Sequence, residues 1–452
     1  MTSPIGADSS HRVNLVGYVS GNLGLGVAAR AVGKAMLARG FEVAVLDLDS
    51  GNGHARLAID PAFTVVSGPD EFVPGINLVV LPPMSVVQLL AQHGALSQLL
   101  LREDCLNALF TFWELPTLPP SWARALELFD AVVAPSGFIA GTLDSVLSGT
   151  PVVRGLTPLE LPSGIKADRA RFGFPKGVFV AVSSFDPLSD PERKNPQGAI
   201  DAFHLAFGDS DSARLVVKLN VPAGGYADEV RNRTVLQPLL RRLRADKRTL
   251  VIAESLSYRD VLSLYASADA FISLHRAEGL GLGLLESMAL GKPVVATGWS
   301  GNKVFMSPAN ACMVRHTLVP VEATHMAYVG AMKGLEPLWA QPDIDDAALW
   351  LQRLASDSAL RLSIGSAATS AYLRYQTEAT ALGFLDDLMA LRRHQQANPR
   401  AASVMSRRTR IQEVQHTLQR AGLGPAGRLG LQLRDQFDRH IAWRLVARSA
   451  TK

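Results

Sequence analysis

Cysteine is scarce in this 452-residue chain: there are two, Cys105 and Cys312, both set among apolar residues. That number excludes a disulfide scaffold and suits a reducing compartment. Charged residues make up only 19% and aromatics 7%, while apolar residues reach 48%, so the chain has the material for large cores and does not read as disordered. No run approaches the ~18 uninterrupted apolar residues of a membrane-spanning helix. The best candidate, Ile76 to Ala91, is interrupted by Pro82 and Pro83, and the polar start from Met1 to His11 has no signal-peptide core. The expectation is a soluble cytoplasmic protein. Cys-x-x-Cys, Ser-His-Asp and His-cluster spacings are also missing, which leaves no support for a metal centre or a serine hydrolase.

Net charge is +4, too little to imply a nucleic-acid partner, but it is unevenly spread. From Arg392 to Lys452 thirteen basic side chains face three acidic ones, so the tail stands at +10 and the body at −6. The tail interleaves arginines with Leu429, Leu431, Leu433, Phe437, Ile441, Trp443 and Leu445. Such a segment can lie on an anionic membrane surface, dock on a partner protein or stay solvated.

Short apolar, β-branched runs alternate with helical patterns, which predicts parallel sheets covered on both faces. Strands are expected at Val13–Val19, Glu42–Leu48, Ile76–Leu81, Ala108–Phe112 and Ala131–Ala134, with a helix at Val27–Arg39. After a Pro- and Gly-containing stretch from Pro151 to Pro175 the pattern restarts, with strands at Val178–Ser183, Arg214–Lys218, Thr249–Ala253, Ala270–Ser273 and Pro293–Ala296. Leu349–Asp387 carries helical spacing, and Arg392–Arg410, with little apolar pattern, reads as a linker. The expected division is 1–165, 166–370, a closing helix at 371–395 and a basic tail at 396–452.

Four motifs bear chemistry. Gly24-Leu25-Gly26-Val27-Ala28-Ala29 lies between a strand and a helix, with Asp47 and Asp49 about twenty residues on, a loose dinucleotide fingerprint. The longer loop Ser20–Leu23 departs from the tight turn that fingerprint needs, and a plain βα turn is the alternative. In Ser273–Pro293, Glu278 and Glu286 stand eight apart with Gly279, Gly281 and Gly283 between them. The glycines put Glu278 on a loop at a strand end and Glu286 in the first turn of the next helix. Open N–H groups would then meet phosphate, and a carboxylate would meet sugar hydroxyls. His275 precedes this pair, as a lining residue or a packing one. Third, Arg193 and Lys194, with Lys218 at the end of another strand, offer cations to a diphosphate, or are ordinary surface charges. Fourth, Trp113-Glu114 at a strand end suits a sugar ring, or is a structural Trp with a capping Glu.

The combination resembles a retaining glycosyltransferase of the GT-B class, glycosyltransferase family 4 (group 1), over about residues 12–390. The likeness rests on Glu278-x7-Glu286 within His275-Arg276-x-Glu278-Gly279, on Phe185-Asp186 through Asn195-Pro196 with Lys218, on Ser300-Gly301-Asn302 and on Trp339 to Asp343. It implies two Rossmann-like domains facing a cleft: the first binds a glycan or lipid-linked acceptor, with Gly24, Gly26, Trp113 and Glu114 on its side, and the second binds a nucleotide-diphosphate sugar. Glu278, Glu114 and His275 would be the catalytic residues, with Glu278 at the donor sugar or developing charge, while Glu286 would contact ribose, Arg193, Lys194 and Lys218 the leaving diphosphate, and the three glycines and Asn302 would complete the donor site. The donor is then substrate, with no further cofactor. No Asp-x-Asp metal loop is evident, so metal independence is expected. Surface polysaccharide assembly at the inner face of the plasma membrane is the expected setting. Lys303 and Val304 stand where many relatives have an acidic residue, which leaves open a catalytically silent binding protein, and the Gly24–Ala29 loop leaves open a nicotinamide-dependent dehydrogenase.

Overall fold

A computed structural model describes residues 11–48, 56–91, 94–187, 189–220, 236–254, 256–322, 332, 334–397 and 404–420. Seven parallel strands form the first sheet: β1 (Arg12–Gly17), β2 (Glu42–Asp47), β3 (Thr64–Val65), β4 (Ile76–Val80), β5 (Leu106–Phe110), β6 (Ala131–Ala134) and β7 (Val152–Arg154), in the order β3-β2-β1-β4-β5-β6-β7. The central strands are buried throughout because helices cover both faces, which is why they read as continuous apolar runs.

The second sheet contains β8 (Phe179–Phe185), β9 (Ala213–Leu219), β10 (Thr249–Ile252), β11 (Ala270–Ser273), β12 (Val294–Thr297) and β13 (Cys312–Val314), in the order β10-β9-β8-β11-β12-β13. Each sheet reverses its strand order beside its first strand, the switch point where doubly wound sheets leave a crevice at their carboxyl ends. An antiparallel pair, β14 (His316–Pro320) with β15 (Leu338–Pro342), follows. All ten expected strands are present; β3, β7 and β13–β15 were not anticipated, being two to five residues long or partly exposed.

Three long helices close the molecule: Ile344–Ser356, Ser358–Thr380 and Gly383–Ala397. The first two pack on the second sheet. The third returns to the first sheet, where Phe384, Leu385 and Leu388 join the core around Phe110 and Val133.

The linker expected at Arg392–Arg410 is corrected where described. Arg392 lies buried in the helix Gly383–Ala397, and a further helix spans Val404–Arg420. Ile411, Val414 and Leu418 of that helix are buried in the first domain's core, against the helices Pro83–Ala91 and Pro120–Leu126. Arg407 pairs with Asp130 at 2.6 Å, and Gln415 donates to the Leu90 carbonyl at 2.9 Å. The apolar stripe lies mostly beyond Arg410, so the window read as linker missed it. The tail from 421 to 452 lies outside the described residues. Among the described residues no helix is long and apolar enough to cross a membrane.

Candidate functional site

Register aligns the carboxyl ends of the second sheet: Ser184 stands beside Lys218, and Ser273 beside Ala296. The loops leaving these ends carry the charged residues. After β8, Asp190 caps a short turn of helix by accepting from the Glu192 and Arg193 N–H groups, and Asn195 takes a left-handed φ of 47° to start the next helix. This double turn aims Arg193 and Lys194 at the end of β11.

Glu278 meets them there. Lys194 Nζ bonds its Oε1, Arg193 Nη1 stands 3.5 Å from Oε2, and Arg193 Nη1 also donates to the Ala277 carbonyl at 2.9 Å. Burial alone would raise the Glu278 pKa, but Lys194 and Arg193 outweigh it and hold the carboxyl at about 2. Arg193 also reaches across to the first domain, where its Nη2 lies 3.7 Å from Glu114 Oε1. Its carboxylate partners Glu278 and Glu114 come one from each domain.

Glu286 sits in the second turn of the helix Leu282–Ala289, not the first, because Gly281, at φ 91°, is the N-cap and helical geometry begins at Leu282. Its surroundings are opposite in kind. Burial pushes its carboxyl up to about 7, against the pull of Tyr258 and Lys218. Lys218, 3% exposed, is itself lowered to about 8 by burial, which Asp186 and Glu286 only partly offset. The two glutamates therefore differ in kind: Glu278 is held charged by its cations, whereas burial favours the protonated form of Glu286.

The third wall is the loop after β12. Ser300 has φ 73° and ψ −144°, a conformation that strains any residue but glycine. It is held by its Oγ, which accepts from the Glu278 N–H at 2.8 Å and donates to the Trp299 carbonyl at 2.6 Å. Gly301 donates its N–H to the Glu278 carbonyl at 2.9 Å.

His275 and Asn302 are both wholly enclosed. The imidazole Nε2 lies 3.3 Å from Asn302 Oδ1 and 3.4 Å from the Trp299 carbonyl, Nδ1 contacts Ser273 Oγ at 3.1 Å, and burial lowers its pKa. Asn302 Nδ2 donates to the Thr297 carbonyl at 3.0 Å. These side chains tie the loop to the sheet and do not open on the cleft, which corrects the catalytic place expected for His275 and the donor-binding place expected for Asn302.

The first domain's strand ends face this site. A Cβ on Gly279 would lie 3.6 Å from Phe112, one on Gly24 would lie 3.6 Å from Leu282, and Phe138 packs edge-on to Trp299 at 5.6 Å. Gly24 and Gly26 belong to the first turn of the helix Gly24–Ala38, so they are not a free loop; a Cβ on Gly26 would meet the Gly21 carbonyl at 2.1 Å. Trp113 is also corrected: 3% exposed, it stacks edge-on with Trp122 and donates Nε1–H to the Thr117 carbonyl at 2.9 Å, so its face is turned to the core. Asp47 accepts from the Ser20 N–H at 2.9 Å and pairs with Arg56 at 2.6 Å. Asp49 lies outside the described residues.

One residue near Glu286 carried no signal in the motif pattern: Tyr258 opens the helix Tyr258–Ser267 after β10, and Arg30 of the first domain lies near it in turn. Between the domains a cavity of about 430 Å³ is lined in part by Ser136, Arg154, Glu378 and Asp387.

The family model for glycosyl transferases group 1 matches residues 190–314, under a third of the chain. No curated protein matches the sequence significantly. Among solved structures, sucrose-phosphate synthase from Thermosynechococcus elongatus aligns with a TM-score of 0.59 at 14% identity, over 83% of this chain and 97% of that one. The α,α-trehalose 6-phosphate synthase from Burkholderia multivorans aligns at 0.58 and 12% identity, over 86% and 98%. Anabaena HepE, solved with UDP-glucose, aligns at 0.56 and 14% identity, over 84% and 98%. The fold is thus the two-domain GT-B architecture, and the segment that gathers Arg193, Lys194, Lys218, Glu278 and Glu286 is the one that matches the group 1 glycosyl transferases.

Proposed function

We propose that this chain is a retaining, metal-independent glycosyltransferase of family 4 type, which moves a sugar from a nucleotide-diphosphate donor to a glycan or lipid-linked acceptor in surface polysaccharide assembly. The observation that carries the reading is the convergence of Glu278 with Lys194 and Arg193, and of Glu286 with Lys218, at one sheet edge facing Glu114.

The chemistry follows from those charges. As the anomeric bond breaks, negative charge grows on the leaving diphosphate. Lys194, Lys218 and the N-terminus of the helix Leu282–Ala289 are placed to stabilise it. A diphosphate at Lys194 competes with Glu278, which frees that carboxylate for donor-sugar hydroxyls or for the positive charge developing at the anomeric carbon. Glu286 accepts from ribose hydroxyls. Arg193, enclosed between carboxylates of both domains, orients Glu278 and Glu114. The acceptor enters from the first domain.

The dehydrogenase reading has less support: Asp47 is already engaged by Ser20 and Arg56, and Gly26 is packed against its own loop. The part of the basic tail beyond residue 420, which lies outside the described residues, is proposed from its composition to hold the enzyme at the inner face of the plasma membrane. Cosedimentation of the full chain with anionic vesicles, set against neutral ones, tests that part.

The central test is release of free nucleotide from a panel of UDP-, GDP- and dTDP-sugars by wild type and Glu286→Gln. The expected result is turnover of one donor that survives EDTA and falls by roughly 100-fold or more in the variant. Equal turnover in both removes the assignment, and donor binding with no nucleotide release on any acceptor favours the silent binding protein.

A further inference from the structure

Ser300 is 2% exposed and holds φ 73° with ψ −144°, a backbone conformation that glycine adopts freely and a side chain strains. Glycine would sit there without cost, so what serine contributes lies in its one polar side-chain atom. That atom is engaged twice: Oγ accepts from the Glu278 N–H at 2.8 Å and donates to the Trp299 carbonyl at 2.6 Å. The Ser300 carbonyl is committed to its own turn, accepting from the Lys303 N–H at 3.3 Å, so it is the hydroxyl that meets Glu278.

The peptide group that Ser300 meets is gripped at both ends. Its oxygen, the Ala277 carbonyl, accepts from Arg193 Nη1 at 2.9 Å, while its nitrogen donates to Ser300. The following peptide is held as well, because the Glu278 carbonyl accepts from the Gly301 N–H at 2.9 Å. A peptide is planar, so one bonded at oxygen and nitrogen has little freedom to rotate, and the Cα of Glu278 is fixed between two such units. The carboxylate engaged by Lys194 and Arg193 hangs from that Cα.

We infer that Ser300 is a positioning residue for the transfer step: its hydroxyl fixes the Ala277–Glu278 peptide and so sets the Glu278 carboxylate against the reacting carbon of the donor. This inference rests on the proposed role of Glu278. Strained backbone persists where surrounding contacts over-determine it, and here those contacts end on the residue that meets the developing charge. A misplacement of about 1 Å in such a group can cost on the order of 100-fold in rate. The nucleotide, placed at Lys218 and Glu286, does not depend on this peptide, so the loss falls on kcat rather than on KM.

The test is steady-state nucleotide release and thermal melting for wild type, Ser300→Gly and Ser300→Ala, with the donor that wild type turns over. Glycine removes the strain together with the hydroxyl, whereas alanine removes the hydroxyl and keeps the strain. Ser300→Gly should melt within a few degrees of wild type, since relief of strain offsets the lost bonds, yet its kcat should fall roughly tenfold or more with KM changed less than about threefold. Ser300→Ala should lose kcat to a similar extent and melt below Ser300→Gly. Glycine could replace a residue that only shaped the loop, so a wild-type kcat in Ser300→Gly, or a loss confined to KM, overturns the inference and leaves the donor site standing. No turnover of any donor by folded wild type overturns the proposed function, and the inference with it.

Discussion

A Cβ on Gly301 would stand 1.9 Å from the carbonyl oxygen of Gly279. The loop after β12 and the loop after β11 therefore touch backbone to backbone, and the Gly301 N–H to Glu278 carbonyl bond depends on that approach. The obstacle to a side chain is main chain, which has no rotamer to yield.

Substitution Gly301→Ala should destabilise the second domain by about 1–3 kcal/mol, the range for forced overpacking. Because the displaced backbone carries Glu278, nucleotide affinity should fall along with the melting temperature. Denaturant unfolding and donor titration on the same preparation check both, and wild-type values for both would show that the two loops can separate freely.

Lys194→Ala removes the closest charge partner of Glu278 and, on the proposed function, one cation at the leaving group. Donor turnover is expected to drop by roughly 100- to 1,000-fold, the scale of losing one preorganised stabilising group. Steady-state kinetics should place the loss mainly in kcat; an effect confined to KM would mean that Lys194 only binds the ground state.

The two glutamates should link stability to pH with opposite signs. Glu278, held at about 2 in the fold against ~4.3 when unfolded, contributes stability above ~4.3 that is lost as pH falls toward 2. Glu286, raised to about 7, contributes stability below ~4.3 that is lost as pH rises through 7. In urea unfolding across pH, Glu286→Gln should flatten the decline between about pH 4.5 and 7 and leave the acid limb unchanged. A decline that persists in the variant would assign it to other groups.

Leu418 is fully buried although it lies roughly 290 to 335 residues beyond the helices Pro120–Leu126 and Pro83–Ala91 that its own helix packs against. Leu418→Ala should cost about 2–5 kcal/mol. Truncation after residue 403 should uncover Leu90, Trp122 and their neighbours and favour aggregation, visible in melting and light scattering; an unaltered melting curve would make this helix a dispensable appendage.

Trp113→Phe removes the Nε1–H bond to the Thr117 carbonyl and should lower stability by about 1 kcal/mol without changing acceptor KM. A selective rise in acceptor KM would return the indole to the cleft.

Buried parallel strands announce themselves as uninterrupted apolar runs, which is why β4, β5 and β11 were legible while the two-residue β3 and the exposed β14 were not. A strand-end aromatic has no such signature. Trp113 reads the same whether its ring faces a sugar or the core, and it was Trp122 and the Thr117 carbonyl that decided the matter. The helix Val404–Arg420 went unread because its three anchors, Ile411, Val414 and Leu418, are set among charged and polar residues and make sense only against a surface built far earlier in the chain.

The spacing of Glu278, three glycines and Glu286 determined by itself that two carboxylates would flank a strand-to-helix turn in the second of two α/β units. Their charge states it left undetermined. Lys194, 84 residues before Glu278, reaches it only once β8 and β11 lie side by side, and Lys218 reaches the neighbourhood of Glu286 only through β9. Burial and Coulomb attraction depend on distance in space, and those distances exist only after the sheet has formed.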